Sequence, residues 1–348
     1  MSKEGDLSVY LLENLHQIAE EIVEMQYQQM PAIDSQYGDA GRKKNVEDVK
    51  YHLKFLVNAY NYESPELFGS YTEWLGILFK HLDFSTSDMV LNMQITKEVL
   101  ASYFDPHVRS SLFDILDLGI SRLSEEPSDI SCYLEKSRMP ELVRDYSTYL
   151  LNNDVRAAYD LIMEAIRDGT ELKEIYLNVF QCSQYEIGRL WQMNAISVAR
   201  EHFCTAATQK IMAQLYPYMF SGSSNGRNMV AACVGNELHE MGIRMVADFF
   251  EMDGWNSHYL GANTPSRNII GAAAEEKADL LLLSVTMISH LDHLRDVISK
   301  IRKNDKTKNI RIIVGGYPFK VDGSLWRKVG ADASARNAQE AVSIANAM

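Results

Sequence analysis

The sequence predicts a multidomain α + α/β chain: helical through its first two blocks, then a doubly wound parallel sheet from about residue 227. Three observations predict it. Apolar residues recur at spacings of three and four through the first 215 positions, the pattern of amphipathic helices. From Arg227 onward, short apolar runs alternate with helical stretches. Ser124-Glu125-Glu126-Pro127-Ser128-Asp129 is a polar, Pro-containing linker, and Ser221-Gly222-Ser223-Ser224-Asn225-Gly226 reads as a hinge. The expected domains are 1–126, 138–220 and 227–348, and 348 residues leave room for two or three.

In the first block, Leu11, Leu15, Ile18, Ile22 and Met25 form one stripe. Pro31 and the stretch around Tyr37-Gly38-Asp39 are expected to break it, with a restart at Asp48. Ser64-Pro65-Glu66 opens a helix, with Pro in the first turn. Two further helices cover 89–104 and 108–123. Five or six helices of unequal length suggest a globin-like or bundle domain. The second block carries a helix before Leu151, one from Leu150-Leu151 to Ile166 that stops at Asp168-Gly169, then 171–189 and 198–215. Together they make a four-helix bundle. The last block has strands near 228–234, 256–260, 279–285, 310–314 and 331–335. These are continuous apolar runs, as in a parallel sheet covered on both faces, and five βα units suggest a flavodoxin-like domain.

A formal net charge of −13 argues against direct nucleic-acid binding, which needs a cationic face. Cys132, Cys182, Cys204 and Cys233 are scattered with no Cys-x-x-Cys, so reduced thiols in a cytoplasmic protein are expected rather than a zinc site. There is no basic-then-apolar leader, and no apolar run approaches the ~20 residues of a membrane span. The 16 methionines read as adaptable core filler.

The chemistry-bearing segment is Glu237-Leu238-His239-Glu240-Met241-Gly242, between the strand-like Asn228-Met229-Val230-Ala231-Ala232-Cys233-Val234 and a helical run. A histidine in such a loop can reach a planar ligand on the C-terminal edge of a parallel sheet, where open α/β sheets bind ligands. Gly242 lets the backbone come close. Alone, the hexapeptide is better read as a histidine capping a helix start. Other strand ends add to it: Ser284-Val285-Thr286, Gly315-Gly316, and Gly261 with Thr264-Pro265 all belong on the same rim.

This combination resembles the cobalamin-binding domain of the methionine-synthase type. The resemblance implies His239 as lower cobalt ligand, Glu237 as the carboxylate that orients it, and Leu238 and Gly242 beside them. It implies Ser284, Val285, Thr286, Gly315 and Gly316 around the nucleotide tail. Imidazole suits cobalt, and a carboxylate on its other nitrogen fixes the tautomer. The familiar methyltransferase version has Asp where this chain has Glu237; Glu there is typical of light-sensing adenosylcobalamin proteins.

In the bundle, Trp191 and, nine intervening residues on, Glu201-His202 resemble the cap of adenosylcobalamin photoreceptors of the CarH type. That resemblance implies a pocket in which Trp191 stacks on adenine while Glu201 and His202 bind the nucleoside. Gln192 departs from family members that have a cobalt-capping histidine after the tryptophan. Light would break the Co–C bond, empty the pocket and change domain arrangement or self-association. The N-terminal block is similar to that of photocobilins, through Gln36-Tyr37-Gly38-Asp39-Ala40-Gly41-Arg42, the segment around Tyr51-His52, and Tyr71 with Trp74. This implies biliverdin against Tyr51, His52 and Trp74, with Arg42 or Lys50 for its propionates. Haem on His52 or His81 is the competing reading, and the absence of cysteine before Cys132 disfavours covalent attachment.

The leading expectation is therefore a light sensor that binds adenosylcobalamin and a bilin, forms homo-oligomers, signals to an unidentified protein and is not an enzyme. The alternatives are a corrinoid carrier of a methyltransferase system and a light-independent cobalamin sensor. The Trp191, Glu201 and His202 pocket weighs against the carrier, which needs an open upper face. His290 and His293, at a helix start, are expected to face solvent.

Overall fold

A computed structural model describes residues 7–125, 130–219 and 224–348, the side chains of 31–37 excepted. The linker beyond Glu125, hinge residues Ser221–Ser223 and the side chains of Gln36 and Tyr37 thus lie outside the described residues. The chain forms two compact units, Met1–Ser128 and Asp129–Met348. A helical region precedes a parallel sheet flanked by helices.

The first unit has α1 (Leu7–Glu13), α2 (Leu15–Gln29), α3 (Pro31–Asn61), α4 (Pro65–His81), α5 (Thr86–Tyr103) and α6 (Pro106–Ser124). Pro31 starts a helix rather than ending one, because a missing N–H costs nothing in the first turn. The break falls at Gly38, whose φ of 56° kinks α3, and no separate helix begins at Asp48. Leu11, Ile18, Ile22, Leu53, Leu56, Phe68, Leu112 and Leu116 form the core.

The second unit begins with α7 (Pro140–Leu151), α8 (Val155–Arg167), α9 (Leu172–Ile175), α10 (Gln181–Gln192) and α11 (Val198–Gln214). Leu150 and Leu151 close α7 instead of opening α8. Asn153 turns the chain at a φ of 65°, and Asp154 caps α8 by accepting from Ala157 N at 2.9 Å. Between α9 and α10 the helix widens into a π turn, Tyr176–Phe180.

Strands β1 (Asn228–Cys233), β2 (Asn256–Tyr259), β3 (Leu280–Ser284), β4 (Arg311–Gly315) and β5 (Ala333–Ser334) form one sheet in the order β2-β1-β3-β4-β5, all pairs parallel. Helices α12 (Met241–Met252), α13 (Ser266–Glu275), α14 (Leu291–Lys303), α15 (Tyr317–Val321), α16 (Leu325–Val329) and α17 (Ala338–Ala347) follow the strands. All of β3 is buried, as helices on both faces require. Bundle and sheet share one apolar core. Within it the Tyr176 and Phe249 rings lie 6.0 Å apart, and Tyr176 Oη donates to Asp248 Oδ2 at 2.8 Å. Among the described residues no helix is long and apolar enough to cross a membrane.

A candidate corrinoid site on the sheet's C-terminal rim

Because all pairs in the sheet are parallel, every strand delivers its following loop to the same edge. The register sets Cys233, Ser284 and Gly315 side by side at the ends of β1, β3 and β4. The loops are knitted together there. Val285 N donates to Gly315 O at 3.0 Å, Asn263 N to Glu237 O at 2.8 Å, and Thr264 N to Cys233 O at 3.2 Å. Gly316 enters α15 at a φ of 113° and a ψ of −178°, and a Cβ there would stand 1.8 Å from Val285 O.

Glu237 is fully buried beneath this rim. Its Oε1 accepts from the His239 backbone N at 2.9 Å and meets His239 Nδ1 at 2.5 Å. Its Oε2 accepts from Thr286 N at 2.8 Å and Met287 N at 2.9 Å, and meets His290 Nδ1 at 3.1 Å. Burial opposes ionisation of Glu237, but the bonds from His239, His290 and the backbone outweigh it and hold the carboxyl far below its usual range. The bond to Glu237 in turn raises the His239 pKa against its desolvation; the Glu237 and Glu201 charges add to the rise. The His239 side chain is 58% exposed although Nδ1 is held, so Nε2 is the nitrogen left for a ligand. Cys233 lies under the loop, its Sγ 3.6 Å from His239 O; burial pushes its thiol up to about 12 and keeps it neutral. Among the described residues no three His, Cys, Asp or Glu side chains gather into a metal site. One carboxylate-backed imidazole suits a metal that arrives with its other positions already filled, as cobalt does in a corrin ring.

The remaining rim residues sit as follows. Leu238 is exposed beside His239, and Gly242 faces open space at the start of α12. Ser284 and Val285 are buried, and the Thr286 amide is spent on Glu237. His290 does not face solvent: its side chain is 18% exposed and bound to Glu237, while His293 Nε2 meets Asn236 Nδ2 at 3.1 Å. Sequence reasoning missed Glu240 altogether. It accepts from Gln209 of α11 at 3.0 Å, from Tyr259 Oη at 2.9 Å and from Ala262 N at 3.0 Å, so it joins bundle to rim. Its one sequence signal is a second carboxylate next to the histidine.

On the bundle, Trp191 is half-buried at the end of α10. Glu201 and His202 hydrogen-bond each other, Glu201 also accepts from Thr205 Oγ1 at 3.1 Å, and His202 is 75% exposed. The pair thus satisfies itself at the surface. In the first unit, Tyr51 is exposed, His52 Nδ1 meets Tyr71 Oη at 2.6 Å, and Trp74 is half-buried. Burial, helped by the Lys44 charge, pushes the His52 imidazole down to about 3. The cations expected for bilin propionates already face carboxylates: Arg42 pairs with Glu24, and Lys50 with Glu47 at 2.8 Å.

Comparison with known proteins supplies the kinship. A B12 binding domain family matches residues 227–344, and a second family of the same description matches 142–216; residues 1–141 lie outside both. Dimethylamine corrinoid protein 1 of Methanosarcina acetivorans is 28% identical over 183 residues, which are 52% of this chain and 84% of that protein. The dimethylamine corrinoid protein of Methanosarcina barkeri is 30% identical over 184 residues, 52% of this chain and 85% of that protein. The solved structure of Methanosarcina barkeri monomethylamine corrinoid protein matches with a TM-score of 0.54 at 21% identity. It covers 60% of this chain and 100% of that one, a likeness of fold.

These relatives overturn the photoreceptor expectation. Trp191 ends α10 while Glu201 and His202 lie in α11, and the resemblance of these three residues to a light-sensing cap yields to sustained identity with methylamine corrinoid proteins. Light sensing, signalling and the bilin chromophore assigned to Tyr51, His52 and Trp74 fall with it. Cobalamin binding stands. So does the expectation that the chain is not itself an enzyme, since its relatives are corrinoid proteins. The chain belongs to the B12-binding corrinoid protein family, with dimethylamine corrinoid proteins among its relatives.

Proposed function

We propose that this chain is a corrinoid carrier of a methyl-transfer system, working with partner proteins of the methyltransferase type. The observation that carries the reading is the Glu237-backed His239 on the C-terminal rim of a B12-binding domain. The bound corrinoid would supply a cobalt centre able to take up and pass on a methyl group. Everything else falls to the chain. His239 Nε2 would be the lower ligand, with Glu237 fixing its tautomer through Nδ1. Leu238 offers exposed apolar surface beside it, and Gly242 leaves space at the helix start. Ser284, Val285, Thr286, Gly315 and Gly316 would line the slot for the nucleotide tail.

The upper group in this reading is methyl rather than adenosyl. Trp191, Glu201 and His202 would then border an upper face that must open to partners, and the outward position of His202 suits that need. The domain limits proposed with it are 1–126 (globin-like), 138–220 (four-helix bundle) and 227–348 (flavodoxin-like). A cytoplasmic location is part of the proposal and rests on four unpaired cysteines.

The test is spectroscopic. The full chain is mixed with hydroxocobalamin, freed of excess and reduced to the cobalt(II) state. With the chain's histidines labelled with 15N, a two-line nitrogen splitting of the axial electron-paramagnetic-resonance lines is expected, distinct from the three lines that the cofactor's own 14N base would give, and the H239A variant should lose it. Failure to retain cobalamin, or a two-line splitting that survives in H239A, would remove the site on which the proposal rests.

A further inference from the structure

On the N-terminal edge of the sheet, opposite the rim, a cavity of about 420 Å³ opens among Arg302, Lys308, Asn309, Ile310, Arg311 and Asp332. Its setting reverses the sign of the chain: from Lys300 to Arg311 six cationic side chains accompany one carboxylate, Asp305, in a protein whose formal net charge is −13. Lys300, Arg302 and Lys303 stand in the last turn of α14, where cations offset the helix dipole, and need no ligand to account for them. Lys308 and Arg311 lie beyond the helix and have no such account. The wall around them is built. Arg302 Nη2 donates to Asp332 Oδ2 at 2.7 Å, and its Nη1 donates to Ile310 O at 2.7 Å and Lys308 O at 3.4 Å. Ile312 N also donates to Asp332 Oδ2, at 2.7 Å. Thr307 is fully buried and donates through Oγ1 to Ile301 O at 3.0 Å. These bonds tie the 304–310 loop to α14 and to the segment entering β5. The lining still has donors to spare. Arg311 has no side-chain partner among the described residues. Lys308 meets Asp305 at 2.8 Å, but that carboxylate is 93% exposed and water screens the pair. The backbone N–H groups of Lys306, Thr307, Lys308, Ile310 and Arg311 are bonded, and among the described residues that of Asn309 is not. Ile310, the apolar member of the lining, is itself buried, so the cavity offers no apolar face to a ring or a base.

We propose that this cavity is an anion site for a compact phosphate group, free phosphate or pyrophosphate, held by Arg311, Lys308 and the Asn309 backbone N–H. A guanidinium matches phosphate oxygens with two parallel bonds, and a lysine adds a point charge. The three cations of the lining against its one carboxylate leave a net charge of +2, and a phosphate group carries about −1.5 to −2 at neutral pH. A carboxylate ligand would bring one charge and no third oxygen for Asn309. The site is independent of the corrinoid reading. Strand β4 begins beside it at Arg311 and ends at Gly315 on the opposite rim, about 13 Å away at the usual rise of a strand.

The experiment is calorimetric titration of the full chain with pyrophosphate, and separately with inorganic phosphate, in chloride buffer free of sulfate. Wild type is compared with R311Q, K308Q and K303Q; Lys303 is an exposed cation at the end of α14 outside the cavity. Wild type should bind one pyrophosphate per chain with a Kd below about 1 mM. R311Q and K308Q should each weaken it by about tenfold or more, the loss of one charge-assisted bond. K303Q should change it by less than about twofold, since salt screens a charge outside the cavity. Absence of saturable binding of either anion to wild type overturns the proposal. Equal weakening in all three variants overturns it too, because the basic segment would then attract anions diffusely. If R311Q does not fold by circular dichroism, K308Q decides: a tenfold loss supports the site and wild-type affinity overturns it. A titration with ATP separates free phosphate from the phosphates of a nucleotide. ATP binding no tighter than pyrophosphate is expected, and a preference for ATP of about tenfold or more would overturn the assignment of a compact ligand.

Discussion

Gly316→Ala is the sharpest probe of the rim. Gly316 has a φ of 113° and a ψ of −178°, a combination open essentially to glycine alone. An added Cβ would lie 1.8 Å from Val285 O and 2.6 Å from Val285 C. Both are backbone atoms, so no side-chain rotation relieves the clash. Conformational strain contributes about 1–3 kcal/mol, and forced movement of the β3 end about 1–3 kcal/mol more. A loss of about 2–6 kcal/mol is expected, at the upper end for a single substitution. Gly315→Ala is the internal control, because its Cβ would meet Ala335 O at 3.3 Å without a positive φ; it should cost about 1 kcal/mol or less. Urea denaturation of both variants, followed by far-ultraviolet circular dichroism, measures the difference. The cobalamin-retaining fraction at saturation should fall in step for Gly316→Ala alone. If that variant is no less stable than Gly315→Ala, the account of a glycine-only backbone against Val285 is wrong.

Two further substitutions test other parts of the second unit. Burial raises the Asp248 carboxyl to about 6 despite the bond from Tyr176, so the folded chain holds a proton there that the unfolded chain releases near 4. Stability from this group is present below about pH 4 and declines as pH rises to about 6, a penalty of about 1–3 kcal/mol at neutral pH. Asp248→Asn keeps an acceptor for Tyr176 and should raise the melting temperature at pH 7.5 but not at pH 4; a lower melting temperature at pH 7.5 refutes the assignment. Lys277 stands at a φ of 49° just after α13, where Ala278 N bonds back to Ala273 O at 3.0 Å. Lys277→Gly should stabilise the chain by about 0.5–1 kcal/mol in thermal or urea unfolding, since glycine adopts that conformation without a Cβ penalty; a loss of stability would count against it.

The parts legible in sequence are those encoded locally. Apolar runs such as Leu280–Leu283 announced buried parallel strands, and the segment from Asn228 to Gly242 announced a histidine between strand and helix. Contacts between distant segments were not legible. His290 looked solvent-facing because the carboxylate that holds it lies 53 residues earlier, on a loop that only the strand order brings near. Arg42 looked available for an anion because its partner, Glu24, belongs to a different helix. Pro31 read as a stop because proline marks a helix's first turn as often as its limit. The Trp191, Glu201 and His202 spacing misled for a different reason. Trp191 ends α10 and Glu201-His202 lie in the first turns of α11, so the spacing spans one helix–loop–helix step that many helical bundles share, and only identity over a long stretch separates them.

The π turn at Tyr176–Phe180 has a consequence for how this bundle tolerates change in length. Such a turn accommodates one residue more than a regular helix would. Tyr176, on its near side, is anchored by Asp248 and Phe249, whereas Trp191 lies eleven residues beyond its far side. Each residue of an α-helix advances the chain by about 100°. Deleting a single residue within the turn would let the helix close up regularly and leave α10 on the face it already presents, whereas the same deletion in the regular part of α10 would swing Trp191 by about that angle. The turn is therefore a slack point in length: homologous chains that differ by one residue here should present the same face of α10.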